Sequence, residues 1–168
     1  MAKTLVVYYS RTGNTRQIGQ ELASALGADA EELRDGQDRR SPMGYLKSGL
    51  EARRHSPARL QPLVHDPATY DLLVVGTPIW VSTVSTPVRT FLERYVTPEQ
   101  KVAWFCTYGL EGEKYPERAF QAMTQAAGLT PLATLSVRTQ DVAGKHREAV
   151  AEYAARLSRR LEAGRQKG

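Results

Sequence analysis

With one cysteine in 168 residues, Cys106, the chain cannot close a disulfide within itself, a usage that suits a reducing cytoplasm. It has three histidines, His55, His65 and His146, at spacings that match no metal-ligand pattern, which argues against a zinc site. Long hydrophobic runs are missing too. No apolar stretch exceeds about five residues, far short of the ~20 that a membrane-spanning helix needs. Lys3 precedes an apolar run too short to be the core of a secretory signal. What is present is a hydrophobic share of 41%, enough for one domain over 1–168 with a core on both faces of a sheet.

The formal net charge is +5, and two segments carry the excess. Arg34–His65 holds seven Lys/Arg against three Asp/Glu, and Lys145–Gly168 again seven against three, so the remainder is mildly acidic. The first segment reads as a loop-and-helix insertion. The second reads as the outer face of the last helix, with a basic tail over about 162–168. Solvated faces account for both, with an acidic partner or a phosphate-bearing ligand as the alternative. Nucleic acid is not expected, because no binding motif is present and few aromatics interleave with the basic residues.

Short β-rich runs alternate with segments of helical period. Strands are predicted over Lys3–Ser10, Ala28–Arg34, Tyr70–Thr77, Val102–Tyr108 and Leu132–Arg138, the last alternating as an edge strand does. Helices are predicted over Asn14–Leu26, stopped by Gly27, and over Pro87–Tyr95, Pro116–Ala127 and Lys145–Leu161, with a shorter one over Met43–Arg54. Five strands alternating with helices imply a parallel sheet covered on both faces by right-handed crossovers. Ligands of such sheets sit beyond the C-terminal strand ends, which here means the loops Ser10–Thr15, Pro78–Pro87 and Thr107–Tyr115.

The first of these loops is the most specific signal. Ser10-Arg11-Thr12-Gly13-Asn14-Thr15 follows the apolar run Leu5–Tyr9 and precedes a helix. It offers backbone N–H groups, hydroxyl donors and the positive end of a helix to one anion. No lysine follows the glycine as in a nucleotide-hydrolase P-loop, and a single glycine misses the dinucleotide fingerprint. The chemistry fits a small phosphate monoester held by neutral hydrogen bonds. The alternative is an ordinary turn with Thr12 or Asn14 as the helix N-cap.

SRTGNT, YDLLVVGTPIW and the CTYG loop together resemble a flavodoxin over nearly the whole chain. The resemblance implies an α/β three-layer sandwich with a five-stranded parallel sheet of order 2-1-3-4-5, helices on both faces, and FMN as cofactor. That strand order comes from the resemblance and not from spacing. The cofactor phosphate would be held by Ser10, Thr12, Asn14 and Thr15, with the backbone of Arg11 to Thr15, including Gly13, completing the nest. Thr77, Pro78 and Ile79 would lead to the flavin ring, Trp80 and Val81 would approach it, and Thr107, Tyr108 and Gly109 would close the other side. Trp80 would pack on one face of the ring and Tyr108 on the other. Core packing is the alternative for both, and Cys106 reads as a small buried hydrophobe.

Two features depart from the electron-carrying flavodoxins that the chain resembles. Many of them have a glycine and then an acidic residue after the loop tryptophan, where this chain has Val81 and Ser82. Glycine permits a peptide flip toward the one-electron reduced flavin, and a β-branched residue resists it. The carriers also surround the flavin with carboxylates, whereas this chain is basic, which favours the anionic two-electron reduced form. Both point to a cytoplasmic FMN oxidoreductase passing electrons from NAD(P)H to a quinone or similar acceptor. Arg39, Arg40, Arg53 or Arg54 are the candidates for a nicotinamide nucleotide's phosphate. No side chain is singled out as catalytic, and a homo-oligomer is compatible with the resemblance. The alternatives are an electron-transfer carrier that docks on a reductase, and an interaction protein with an empty site.

Overall fold

The computed structural model describes every residue except 1, 37–42, 45, 48–49, 51–56, 81, 110–113 and 166–168. Among the described residues, strands β1 (Thr4–Tyr8), β2 (Asp29–Glu32), β3 (Leu72–Trp80), β4 (Thr83–Val84), β5 (Lys101–Tyr108) and β6 (Thr134–Arg138) alternate with four long helices. These are α1 (Asn14–Leu26), α2 (Thr86–Tyr95), α3 (Lys114–Ala127) and α4 (Arg147–Arg165). The sheet runs β2-β1-β3-β5-β6, parallel throughout, and β4 pairs antiparallel with β3. The main strands keep the expected order, but the sheet has six strands rather than five.

Burial on both faces explains why β1, β3 and β5 read as continuous apolar runs. Successive side chains point to opposite sides of a strand. Val6, Tyr8, Leu72, Val74, Ala103 and Phe105 accordingly meet Ile18 and Leu22 of α1 and Val150, Tyr153 and Leu157 of α4. Their neighbours Leu5, Val7, Leu73, Val75, Val102 and Trp104 meet Val88, Phe91 and Leu92 of α2 and Met123 of α3. Strand β6, at the edge, alternates between buried and exposed positions. Cys106 lies in β5 with no exposed surface, and burial pushes its thiol far up, so it packs as a hydrophobe.

Helix α1 keeps the predicted limits because glycines define both ends. Gly13 at its N-cap has φ +103°, and Gly27 at its C-cap has φ +58° with Ala28 N–H donating to the Ala23 carbonyl at 2.9 Å. The last helix continues to Arg165, through most of the segment expected to be a tail. Within the predicted 43–54 helix, Met43, Gly44, Leu46, Lys47 and Leu50 are helical. The rest of it, with Arg39, Arg40, Arg53 and Arg54, lies outside the described residues.

The end of that basic segment packs along the β2 edge of the sheet and against α2. Ala58 N–H donates to Thr90 Oγ1 of α2 at 2.8 Å, and Gln61 N–H to the Arg34 carbonyl at 2.7 Å. The buried Glu31 carboxylate of β2 accepts from the N–H groups of Val64 and His65 and from His65 Nδ1. These bonds hold a short strand whose Asp29-Ala30-Glu31-Glu32 sequence has little β propensity.

Tyr70 braces the same edge, donating its phenol proton to Asp29 Oδ2 at 2.7 Å. Desolvation and then this hydrogen bond push the phenol up to about 12. The phenol therefore favours folding below its ordinary pKa of about 10. That contribution is lost as the pH rises from about 10 toward about 12. Tyr70→Phe is expected to cost about 1 kcal/mol at neutral pH. It should also flatten the alkaline fall in stability, which urea unfolding at pH 8 to 11 would measure. An unchanged alkaline limb would refute the assignment. Among the described residues, no helix is long and apolar enough to cross a membrane.

Candidate functional site

The C-terminal ends of β1, β3 and β5 open on one cleft of about 400 Å³. Arg11, Thr12, Asn14 and Thr15 line one end of it, Pro78, Ile79 and Trp80 a second side, and Thr107, Tyr108 and Gly109 a third. The structure thus brings together ten of the fourteen residues singled out from the sequence.

The loop after β1 is built as an anion cradle is built. Ser10 Oγ accepts from Gly13 N–H at 3.1 Å and closes the turn, so Ser10 shapes the loop from beneath. Gly13, and neither Thr12 nor Asn14, is the N-cap, and no side chain caps the helix. Its positive φ turns the chain into α1 in a conformation that side chains oppose. The first turn of α1 carries no acidic residue, so its positive end is not neutralised from within. Arg16 is engaged elsewhere, through Nε and Nη2, with the Glu32 carboxylate at 3.1 and 2.7 Å. Thr15 Oγ1 lies 2.7 Å from Thr107 Oγ1, which ties the first turn of α1 to the end of β5.

Two expected residues stand differently, and a third is not described. Thr77 is fully buried, with its hydroxyl between the Pro78 carbonyl and Ser85, so it braces the chain behind the cleft and does not line it. Trp80 borders the cleft but is only 2% exposed, its ring edge-on to Tyr9 at 5.3 Å between centroids. Val81 lies outside the described residues. The loop expected over Pro78–Pro87 is largely a hairpin, with Ile79 opposite Val84 and Trp80 opposite Thr83. β-branched and aromatic residues favour that pairing. The two-residue connection needs a left-handed residue, and Ser82 supplies it at φ +66°.

Thr139 also lines the cleft and was not anticipated. Its place just past the fifth predicted strand was the available signal, since every C-terminal strand end of a parallel sheet faces the same side. Arg11 is the one charged residue among the described lining residues, and none of them is acidic.

A family model described as flavodoxin matches residues 3–143. A flavoprotein from Lactobacillus acidophilus NCFM in complex with FMN is 22% identical, with a TM-score of 0.67 over 86% of this chain and 98% of that one. A Bacteroides uniformis protein described as a flavoprotein is also 22% identical, with a TM-score of 0.73 over 90% of this chain and 97% of that one. Oxidised flavodoxin 2 from Bacillus cereus is 18% identical, with a TM-score of 0.60 over 95% and 99%. At these identities the likeness speaks for the fold. No curated protein matches the chain.

Proposed function

The chain belongs to the flavodoxin family, and from that premise we propose that it is an FMN-dependent oxidoreductase taking electrons from NAD(P)H for a quinone or similar acceptor. One observation carries the reading: an uncapped helix N-terminus, entered through Gly13 and ringed by hydroxyls, opens into a cleft with Tyr108 on its wall. The neutral donors and the intact helix dipole fit a phosphate monoester. The apolar edges of Pro78 and Ile79 with the Tyr108 ring fit a flat heterocycle. Bound there, FMN would supply reversible two-electron redox chemistry.

The chain's own part is to bind and orient. Thr12, Asn14 and Thr15, with the first N–H groups of α1, would hold the phosphate and so fix how deep the ring sits. The Thr15–Thr107 hydrogen bond keeps the phosphate and ring ends in register. The described lining residues include no carboxylate, so added negative charge in the cleft meets no like charge from them. This supports an enzyme that reduces its cofactor fully, over a one-electron carrier.

The test is anaerobic addition of NADH or NADPH to the FMN-loaded protein while following the flavin absorbance. Prompt, complete bleaching is expected with at least one nucleotide. No change with either, and reduction only when a reductase protein is added, would overturn the enzyme reading in favour of a carrier.

A further inference from the structure

At the rim of the cleft Tyr108 ends β5, and its register partner on the neighbouring strand is Arg138, the last residue of β6. Arg138 Nε donates to the Tyr108 phenol oxygen at 3.3 Å. Thr139 Oγ1, one residue on, donates to the Tyr108 carbonyl at 2.9 Å. Two consecutive residues of β6 and its exit therefore grip this aromatic at both ends, its backbone and the tip of its ring. A half-buried tyrosine at a strand end otherwise samples several rotamers, and a ligand that uses it as a wall must order it on binding.

Resting on the FMN reading above, we propose that Arg138 is a positioning residue that pre-orders Tyr108 as a fixed wall for the planar ring of the cofactor. The hydrogen bond spans two adjacent parallel strands, so the stiffness of the sheet sets where the phenol stands. Arg138 acts on the ring end of the ligand, while the Ser10–Thr15 loop acts on the phosphate end. The two contributions therefore separate when FMN is compared with riboflavin, which lacks the phosphate.

The experiment titrates the apo-protein with FMN and with riboflavin, following flavin fluorescence. The proteins are the wild type, Arg138→Ala, Arg138→Gln, Tyr108→Phe and the Tyr108→Phe/Arg138→Ala double variant. Arg138→Ala is expected to weaken both flavins by about 5-fold, the scale of ordering one side chain. Arg138→Gln, which retains an N–H donor, should recover part of that loss. The double variant should bind no more weakly than Tyr108→Phe alone, because the two residues act through one bond. A loss confined to FMN would mean that the guanidinium acts on the phosphate by charge, and would overturn the proposal. Additive losses in the double variant, or no loss in Arg138→Ala, would overturn it too. Wild-type protein that binds neither flavin would refute the cofactor reading itself and take this inference with it.

Discussion

Gly76→Ala is expected to lose about 3 kcal/mol of stability, from the closest clash that a Cβ would meet among the described glycines. Gly76 sits in β3 between Tyr8 of β1 and Phe105 of β5. A Cβ there would lie 1.9 Å from Phe105 Cζ and 2.3 Å from both Cε atoms. Phe105 is fully buried, and the strands on either side of β3 are paired, so neither ring nor backbone can withdraw without opening the core. Urea unfolding would measure the loss. The Gly76→Ala/Phe105→Leu double variant should be less destabilised than the two single effects combined, by about 1 kcal/mol or more. A Gly76→Ala protein within about 0.5 kcal/mol of the wild type would show that the ring can move, against this packing argument.

Thr12→Ala/Thr15→Ala is expected to weaken FMN by at least about 100-fold while changing riboflavin by no more than about 3-fold. Hydrogen bonds to a charged partner are worth about 1.5–3 kcal/mol each, and two of them would be lost to the phosphate alone. Thr15 has a second task, because its hydroxyl meets that of the buried Thr107. Its removal therefore also costs stability. Thr12→Ala by itself separates the two effects, since the Thr12 hydroxyl accepts only a long 3.3 Å bond from Asn14 Nδ2 in an exposed part of the loop. Equal losses for FMN and riboflavin would mean that the Ser10–Thr15 loop does not hold the phosphate.

The central strands were legible because their patterning is dictated by burial that does not depend on which neighbour provides it. Leu5-Val6-Val7 and Leu72-Leu73-Val74-Val75 must be covered on both sides in any parallel arrangement. The limits of α1 were legible for a local reason, since Gly13 and Gly27 adopt conformations that other residues resist. The hydroxyl loop was legible as a candidate site because its donors lie within six consecutive residues.

The hairpin was not legible in the same way. Pro78-Ile79-Trp80 pairs as strand only because Thr83-Val84 folds back on it, and that pairing carries Trp80 onto Tyr9 and away from solvent. The course of 57–65 depends on Thr90 and Glu31, which are far from it in sequence. Thr77 looked like a cleft residue from its place at a strand end. Whether its hydroxyl turned to the cleft or to Ser85 was set by the neighbouring hairpin and α2.

The sequence by itself determined the alternation of strands and helices, the two-sided core and the hydroxyl-rich loop after β1. All three are written in local spacing, in the periods of 2 and 3.6 and in the handedness that only glycine takes freely. Tertiary structure alone decided the sixth strand, the burial of Trp80 and the grip of Arg138 and Thr139 on Tyr108. Each of these arises from a contact between segments that carry no mark of one another in sequence, and so from the stacking of strands side by side.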